Sequence, residues 1–308
     1  MGIAQCSRQS GRRAIDGFNP NKWHNERRKP VGSAIAGNWS WYGSLSRRRD
    51  IAEGQAVILE LDCGNTRVKW RVREGKNILM RGAFLTAEWF NAESSEELAR
   101  TKIQRVLVGS VLSNDYAKKL ASWSIGALGI NPEFAVSEPR HNGVVNGYQQ
   151  PEKLGVDRWL AILAAKAKAV SGCVIVDCGS AITVDLVTSQ GEHLGGYIAP
   201  GLRLMRDALN TKTTAIKLSQ IGYPDNDFPG RNTVAAIKSA ELAMIAGLVD
   251  HAKSILRNYE LHAPALMMTG GDGEWLVAML KDGDYEEDLV LNGLAIALDG
   301  IQNNKGHE

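Results

Sequence analysis

The chain reads VILELDCGNTRVKWRV over residues 57–72 and VIVDCGSAITVDLVT over residues 174–188, and these two stretches repeat one pattern. Each is an apolar run, then Asp-Cys-Gly, then a small polar turn, then a second apolar run. Their aspartates, Asp62 and Asp177, lie 115 residues apart (177 − 62), about the length of one small domain. We therefore predict two related half-domains that face each other across a cleft.

The composition is that of an ordinary folded chain with an uneven distribution of charge. The chain has 308 residues, 44% of them hydrophobic, and a formal net charge of +2. That length allows two half-domains with a buried core. Residues 1–55 hold ten of the 36 Lys and Arg and four of the 34 Asp and Glu, which leaves 26 basic and 30 acidic residues after them. A mildly acidic body argues against nucleic acid as a partner.

The first 55 residues carry clusters of Arg and Lys and no sustained hydrophobic periodicity. We predict that residues 1–55 are a basic, disordered N-terminal extension. They contain no apolar core of a secretory signal. The alternative is a basic arm that contacts nucleic acid or a membrane with the help of Trp23, Trp39, Trp41 and Tyr42.

From residue 56 onward, apolar runs alternate with segments of helical periodicity, which predicts an α/β fold with mixed sheets. We place the first half-domain at 56–168 and the second at 169–308. The predicted strands are 57–62, 66–73, 78–85, 104–110, 133–136, 173–178, 182–188, 193–198 and 266–269. The predicted helices are 95–102, 114–127, 157–170, 201–209, 232–256 and 289–299, and residues 137–153 are predicted to form a loop.

The first polar turn, Asp62-Cys63-Gly64-Asn65-Thr66, has the composition of a phosphate-binding loop. Gly64 lets backbone N–H groups approach a phosphate because it has no Cβ. Arg67 and Lys69 share one face of the following strand, since side chains alternate along a strand. Asp62 could orient a hydrated Mg²⁺. The alternative is an ordinary hairpin turn, in which Asp, Gly, Asn and Thr are all common.

The second turn repeats the same acid and glycine and adds hydroxyls at Ser180 and Thr183. Two such turns at a domain interface suit a nucleoside triphosphate between them, because phosphoryl transfer depends on positioning and charge neutralisation. Neither GxxxxGK[ST] nor a GxGxxG after a strand occurs in the chain. The predicted nucleotide site therefore belongs to another architecture.

Gly155-Val156-Asp157-Arg158-Trp159 opens a predicted helix and has two interpretations. Asp157 is suited to cap the helix. It could also accept a proton from an attacking hydroxyl, while Arg158 holds an anionic group of the substrate. The glycines at 195–201 and 269–273 would let the backbone approach a ligand or a packed helix.

The remaining signals exclude several kinds of site. Of the four cysteines, Cys63 and Cys178 directly follow the two aspartates of the repeat, and we interpret them as small core residues of a protein in the reducing cytoplasm. The six histidines show no HExxH or other metal-binding spacing. No apolar run reaches the ~18–20 residues that a transmembrane helix needs.

These motifs, in this order, resemble one family, the type III pantothenate kinases of the acetate and sugar kinase, Hsp70 and actin superfamily. The segments that carry the resemblance are DCGNTRVKW, GVDRW, DCGSAIT, GGYIAPG and the NT of NTVAAI, spread over about residues 57–300. The family usually has Thr where this chain has Ser180, which keeps the hydroxyl. The first 55 residues have no counterpart in the usual family pattern. The resemblance implies two actin-like, ribonuclease H-like half-domains with a nucleotide cleft between them.

The resemblance also implies roles for individual residues. Asp157 would be the general base that takes the proton from the pantothenate hydroxyl. Asp177 would bind a monovalent cation, K⁺ or NH₄⁺. Thr233 would reach pantothenate in the neighbouring subunit of a homodimer. ATP would contact Asp62, Cys63, Gly64, Asn65, Thr66, Arg67, Val68, Lys69 and Ser180, and pantothenate would contact Tyr148, Gly155, Val156, Asp157 and Arg158 as well as Thr233.

The sequence thus predicts a cytoplasmic enzyme that phosphorylates pantothenate to 4′-phosphopantothenate with ATP, Mg²⁺ and a monovalent cation, the first step toward coenzyme A. Two alternatives stay open. One is a kinase of the same superfamily that acts on another small hydroxy compound. The other is a non-catalytic descendant that binds nucleotide and regulates transcription through its basic arm. The presence of all three acids, Asp62, Asp157 and Asp177, favours a catalyst.

Overall fold

A computed structural model of the chain describes residues 55–90, 98, 100–212, 222, 223 and 228–299. These residues form two five-stranded sheets, a two-stranded ribbon, six α-helices longer than one turn and one short 3-10 helix. The first sheet consists of β1 (Val57–Cys63), β2 (Arg67–Glu74), β3 (Asn77–Leu85), β4 (Arg105–Ser110) and β5 (Glu133–Phe134). The ribbon is β6 (Arg140–His141) with β7 (Val144–Val145), and the second sheet consists of β8 (Cys173–Cys178), β9 (Ala181–Val187), β10 (His193–Pro200), β11 (Ala265–Thr269) and β12 (Asp284–Tyr285).

The helices lie between and outside these sheets. They are α1 (Asn114–Leu128), α2 (Val156–Lys168), α3 (Leu202–Lys212), α4 (Thr233–Leu256), α5 (Gly273–Leu280) and α6 (Leu289–Asp299), with the 3-10 turn at Pro151–Lys153. None of the helices in the described part of the chain is both long and apolar enough to cross a bilayer.

The two sheets have the same topology. The first runs β3-β2-β1-β4-β5 and the second β10-β9-β8-β11-β12. In each, the first two pairings are antiparallel and the last two are parallel. Asp62 lies opposite Lys69 in the first hairpin, and Asp177 lies opposite Thr183 in the second. The predicted α/β class with two related units and mixed sheets is therefore confirmed.

Three hydrophobic cores hold five layers of the described residues together: an outer helix, the first sheet, a central pair of helices, the second sheet and an outer group of helices. One core joins α1 to the outer face of the first sheet through residues such as Leu59 and Leu120. A second places α2 and α6 between the sheets, and a third packs α3, α4 and α5 on the outer face of the second sheet. A Cβ at Gly293 of α6 would lie 1.9 Å from the carbonyl oxygen of Leu160 in α2, so glycine permits this close packing.

A buried charge cluster attaches α6 to the first sheet. Glu60 of β1 is fully buried and accepts hydrogen bonds from Arg71 and Arg73 of β2. Arg73 reaches Asp299 of α6 at 2.8 Å, and Arg71 reaches Asn292 at 2.7 Å. Buried charges persist when they are paired in this way, so the cluster fixes which surface α6 can cover.

Several elements differ from the sequence-based expectation. The predicted loop at 137–153 contains the β6–β7 ribbon and the 3-10 turn, and α5 and β12 were not predicted. Within the predicted helix at 95–102, residues 98 and 100 are helical, and residues 95–97 and 99 lie outside the described residues. The predicted extension at 1–55 also lies outside them, apart from Gln55. The proposed half-domain boundaries stay predictions.

Candidate active site

The two polar turns of the repeat meet each other. Thr66 Oγ1 lies 2.7 Å from Ser180 Oγ, a hydrogen bond between residues 114 positions apart in the chain. The first turn links β1 to β2, and the second links β8 to β9. The structure thus brings together the two motifs in which sequence analysis predicted phosphate binding.

Each turn is closed by a backbone hydrogen bond from its glycine, which spans three residues in the first turn and two in the second. The N–H of Gly64 donates to the carbonyl of Arg67, and the N–H of Gly179 donates to that of Ala181, both at 3.0 Å. Thr86, which sequence analysis did not single out, holds the first turn: its hydroxyl donates to the Gly64 carbonyl at 2.7 Å. The two turns are therefore fixed before any ligand binds.

Both glycine-rich segments predicted to approach a ligand pack against the second turn. A Cβ at Gly201 would lie 2.4 Å from the carbonyl oxygen of Gly179. Gly270 has φ +87°, and a Cβ there would lie 2.4 Å from Asp177 Oδ1. Glycine at these two positions lets β11 and the start of α3 close around the turn.

Residues 62–69 offer two kinds of contact. Cys63 and Val68 are fully buried in the core of the first sheet, so only their backbone atoms can face a ligand. Asn65 and Arg67 are exposed, and Lys69 is half-buried beside Asp62. Burial raises the pKa of the Cys63 thiol above its ordinary value, which agrees with the prediction of an inert core cysteine.

Three carboxyl groups and one lysine share the electrostatics of the site. Burial is the main cause that raises the pKa of Asp62 to about 7. The positive charge of Lys69 lowers this pKa, and the negative charges of Asp177 and Asp157 raise it. Burial likewise raises the pKa of Asp177 to about 6, opposed by Lys69 and increased by Asp157. With all four groups ionised the net charge would be −2 (1 − 3). Such an excess of negative charge attracts cations.

The carboxylates are not arranged as a complete metal cage. Within the described residues, no three His, Cys, Asp or Glu side chains converge on one point where a metal ion could sit. Mg²⁺ in phosphoryl-transfer enzymes is typically held by one or two carboxylates, substrate phosphates and water. The carboxylates of this site therefore fit a cation that arrives with phosphate oxygens.

Asp157 does not cap its helix, which corrects one of the two sequence-based interpretations. The helix begins at Val156, and Gly155 occupies the capping position without a side-chain bond. Asp157 lies in the first turn, where its Oδ1 accepts the N–H of Arg158 at 2.8 Å. Burial is the largest influence on its carboxyl and raises the pKa, although Arg158 opposes the shift. A Cβ at Gly155 would lie 2.6 Å from Asp157 Oδ1, so glycine makes room for the carboxylate.

Arg158 belongs to a buried network that sequence analysis missed. Its Nε and Nη2 donate to the carboxylate of Asp185 at 2.8 and 2.6 Å, and its Nη1 donates to Tyr148 Oη at 2.6 Å. His193 Nε2 lies 2.9 Å from the same carboxylate. The signal available in the sequence was an acid, Asp185, inside the apolar run ITVDLV, since a buried acid requires partners.

The remaining predicted substrate residues lie in different places. Tyr148 is partly buried beside Arg158, and Val156 is buried in the core between the sheets. Thr233 is exposed at the first residue of α4, which Asn232 caps by accepting the N–H of Ala235 at 2.9 Å. No hydrogen bond among the described residues links Thr233 to the two turns or to Asp157.

Comparison with known proteins gives consistent matches. The sequence model of the family described as type III pantothenate kinase matches residues 58–254. The type III pantothenate kinase of Cellvibrio japonicus is 38% identical over 256 residues, covering 81% of this chain and 100% of that protein. The type III pantothenate kinase of Pseudomonas fluorescens strain Pf0-1 is 34% identical over 245 residues, covering 78% and 98%. A conserved Baf family protein from Campylobacter jejuni shares the fold, with a TM-score of 0.52 at 23% identity and coverage of 79% and 98%.

Proposed function

The chain belongs to the type III pantothenate kinase family and transfers phosphate to the hydroxyl of pantothenate in coenzyme A biosynthesis; we propose that Asp157 is the general base of that reaction. The family assignment implies ATP together with a divalent metal ion as the phosphoryl donor. The position of Asp157 supports this role above all: its carboxyl is partly buried in the first turn of α2, and its negative charge contributes to the raised pKa of Asp62 and of Asp177 in the two turns. A proton acceptor is thus available where phosphate is proposed to bind.

The proposed step is one displacement at phosphorus. The primary hydroxyl oxygen of pantothenate forms a bond to the γ-phosphorus of ATP as the bond from that phosphorus to the β,γ-bridging oxygen breaks. The electron pair of the broken bond stays on ADP, and the hydroxyl proton passes to the Asp157 carboxylate. Burial makes this carboxylate a stronger base than an exposed aspartate, because it destabilises the charged form.

The two turns supply the phosphate site in this proposal. The backbone of residues 62–69 and the hydroxyl of Ser180 face the phosphates, and the Lys69 ammonium offsets charge that develops in the transition state. Asp62 would hold the Mg²⁺ of the nucleotide through water, and Asp177 would hold a K⁺ or NH₄⁺ ion. When bound, these cations neutralise phosphate charge. Burial raises the pKa of both carboxyls, so a cation bound beside them would stabilise their charged forms.

Pantothenate is proposed to bind along the start of α2. Arg158 has five N–H donors, of which three are used by Asp185 and Tyr148. Within the described part of the chain, two donors therefore remain for an anionic group of the substrate, with Tyr148 and the backbone of Gly155 and Val156 around it. Thr233 would complete the site from the partner subunit of a homodimer, which is consistent with its exposure.

A cytoplasmic location is part of the same proposal. Cys63, Cys173 and Cys178 are free and buried, as expected of a protein in a reducing compartment. The substrates ATP and pantothenate are both small and water-soluble, and catalysis in this scheme needs no membrane.

A substrate panel tests the proposed activity. Purified protein is supplied with ATP, Mg²⁺ and K⁺ and with pantothenate, a sugar, acetate or glycerol, and the phosphorylated product is identified by mass spectrometry. We expect 4′-phosphopantothenate alone to accumulate, and we expect replacement of K⁺ by Na⁺ to slow its formation. Phosphorylation of another alcohol in preference to pantothenate would contradict the proposal.

A further inference from the structure

A buried pair of side chains lies behind the proposed substrate residues. Asp185 on β9 and His193 at the start of β10 are 2% and 3% exposed, and Arg158 is 5% exposed. Neither Asp185 nor His193 was predicted as a site residue. Their hydrogen bonds lead to the two side chains that are proposed to hold pantothenate, Arg158 and Tyr148.

Asp185 determines the orientation of the Arg158 guanidinium. The two groups make a two-point contact, Nε to Oδ2 at 2.8 Å and Nη2 to Oδ1 at 2.6 Å. Such a contact fixes the plane of the guanidinium as well as its position. The neighbouring strand leaves space for it: a Cβ at Gly196 would lie 2.5 Å from Asp185 Oδ1 and 2.6 Å from Arg158 Nη2.

His193 connects this carboxylate to the loop that carries Tyr148. The N–H of Gly147 donates to His193 Nδ1 at 3.3 Å, so Nδ1 accepts and the proton of the neutral ring lies on Nε2. Nε2 therefore donates to Asp185 Oδ1, 2.9 Å away. The imidazole also stacks on the ring of Tyr148, with centroids 6.1 Å apart and planes 12° from parallel.

The network constrains the hydroxyl of Tyr148. Arg158 Nη1 donates to Tyr148 Oη at 2.6 Å, and the guanidinium lies 5.4 Å from the centre of the Tyr148 ring. Because that oxygen accepts from Arg158, its own proton points elsewhere and is available to a substrate acceptor. The geometry of both proposed pantothenate contacts thus depends on the buried side chains of Asp185 and His193.

We propose that Asp185 and His193 are positioning residues of the pantothenate site: Asp185 orients Arg158, and His193 joins the Tyr148 loop to the same carboxylate. This inference rests on the proposed function, in which Tyr148 and Arg158 contact pantothenate. It assigns the two residues to the binding of pantothenate, and neither of them makes a bond to the substrate or takes its proton.

Two variants and a matched control test the inference. Asp185→Asn removes the charge that holds Arg158, and His193→Phe keeps a ring against Tyr148 but removes both hydrogen bonds. In each we expect the KM and the calorimetric Kd for pantothenate to rise about 10- to 100-fold, as for a binding group displaced by about 1 Å. The KM for ATP should change less than about twofold, since the phosphate turns are untouched.

The control is Glu241→Gln, which breaks another buried carboxylate–guanidinium pair. Glu241 is 1% exposed and binds Arg206 at 2.6 and 2.7 Å, away from Tyr148 and Arg158. We expect this variant to lose thermal stability and to keep the wild-type KM for pantothenate. A purely structural role for Asp185 would make Asp185→Asn behave like this control.

The outcomes distinguish failure of the positioning roles from failure of the proposed function. Folded Asp185→Asn and His193→Phe proteins with wild-type KM and Kd for pantothenate would overturn the positioning roles alone. If Asp185→Asn does not fold, His193→Phe decides the question by the same measurements. Wild-type protein that neither binds nor phosphorylates pantothenate would overturn the proposed function, and this inference with it.

Discussion

Asp157 is a residue at which the structure excludes one sequence-based interpretation. Sequence analysis left two roles open for it, helix cap and general base. The structure removes the first, because the helix begins one residue earlier with Gly155 in the capping position. The residue type and its place near a helix start were readable from the sequence. Which residue caps the helix was not, since it depends on the φ and ψ angles of the preceding loop.

The partners of Arg158 show what sequence reasoning could not reach. Asp185 and His193 lie 27 and 35 positions further along the chain than Arg158 (185 − 158 and 193 − 158), on two strands of the second sheet. No local spacing connects them to Arg158. Their role follows only from the register that places β9 and β10 beside α2.

The pH dependence of turnover tests the role of Asp157. A general base acts only when ionised, so kcat/KM for pantothenate should fall about tenfold per pH unit below the pKa of Asp157. Burial raises that pKa, so we expect the fall to begin above pH 3.8, the ordinary pKa of an aspartate. The measurement is a pH–rate profile with saturating MgATP.

A second pH–rate profile identifies the residue whose protonation causes the fall in kcat/KM at low pH, the acid limb of the profile. The negative charge of Asp185 contributes to raising the pKa of Asp157 and is not among the influences on Asp62. Asp185→Asn should therefore move the limb to lower pH if Asp157 is the group that titrates. A limb that stays at the same pH in this variant would point to Asp62 and count against Asp157 as the base.

At the scale of elements, the repeated hairpins explain how two distant motifs form one site. In each hairpin an aspartate is the penultimate residue of the first strand, and a glycine N–H closes the turn. The similarity of the two stretches predicted the paired hairpins from the sequence, and the structure adds the bonds that close their turns. The direct bond between Thr66 and Ser180 was not predictable, because it depends on how the two sheets are packed around α2 and α6.

The bond between the turns should matter for ATP. Thr66→Val and Ser180→Ala each remove one hydroxyl that faces the proposed phosphate site. We expect each to raise the KM for ATP, and we expect the double variant to fall short of additivity by about 0.5–1.5 kcal/mol, the contribution of one hydrogen bond. Steady-state kinetics of the four proteins measures the coupling.

The matched control is Ser254→Ala, an exposed hydroxyl on α4 that bonds to its own helix at His251. It should leave the KM for ATP unchanged. Strict additivity of Thr66→Val and Ser180→Ala would show that the two turns act independently and would contradict this account of the site.

The cluster that attaches α6 to the first sheet predicts a large stability effect at one position. Glu60→Gln leaves Arg71 and Arg73 with less charge compensation in the interior, and such losses cost about 3–5 kcal/mol. Asp115→Asn breaks a pair with Lys118 whose side chains are 86% and 79% exposed, and it should cost less than about 0.5 kcal/mol. Urea denaturation of the two variants measures both, and equal effects would contradict the structural role given to the cluster.

At the scale of the whole molecule, the sequence predicted the architecture because the repeat specifies both sheets at once. The apolar runs in the sequence located the first three strands of each sheet, with predicted ends within about two residues of the observed ends. Short elements such as β12 and α5 were missed, since their formation depends on packing against β11 more than on their own pattern. The interface of a homodimer was implied by the family resemblance alone.

Mixed dimers test whether Thr233 completes the site of a neighbouring subunit. Asp157→Asn and Thr233→Ala proteins are each expected to be impaired, and they are denatured together and refolded as a mixture. If the site is shared, a dimer of the two variants has one site with both wild-type residues, and about a quarter of all sites should recover. If Thr233 acts within its own chain, the mixture should show no more activity than the average of the two variants.

The central claim is that Asp157 takes the proton during phosphoryl transfer to pantothenate. The most direct test is single-turnover formation of 4′-phosphopantothenate by wild-type and Asp157→Asn protein, with Mg²⁺ and K⁺ present and pantothenate affinity measured alongside by calorimetry. Asparagine keeps the oxygen that accepts the Arg158 N–H but is not a base. We predict that the variant folds, binds pantothenate, and reacts about 10²- to 10⁴-fold more slowly. A folded variant that binds pantothenate and reacts at the wild-type rate would contradict the claim.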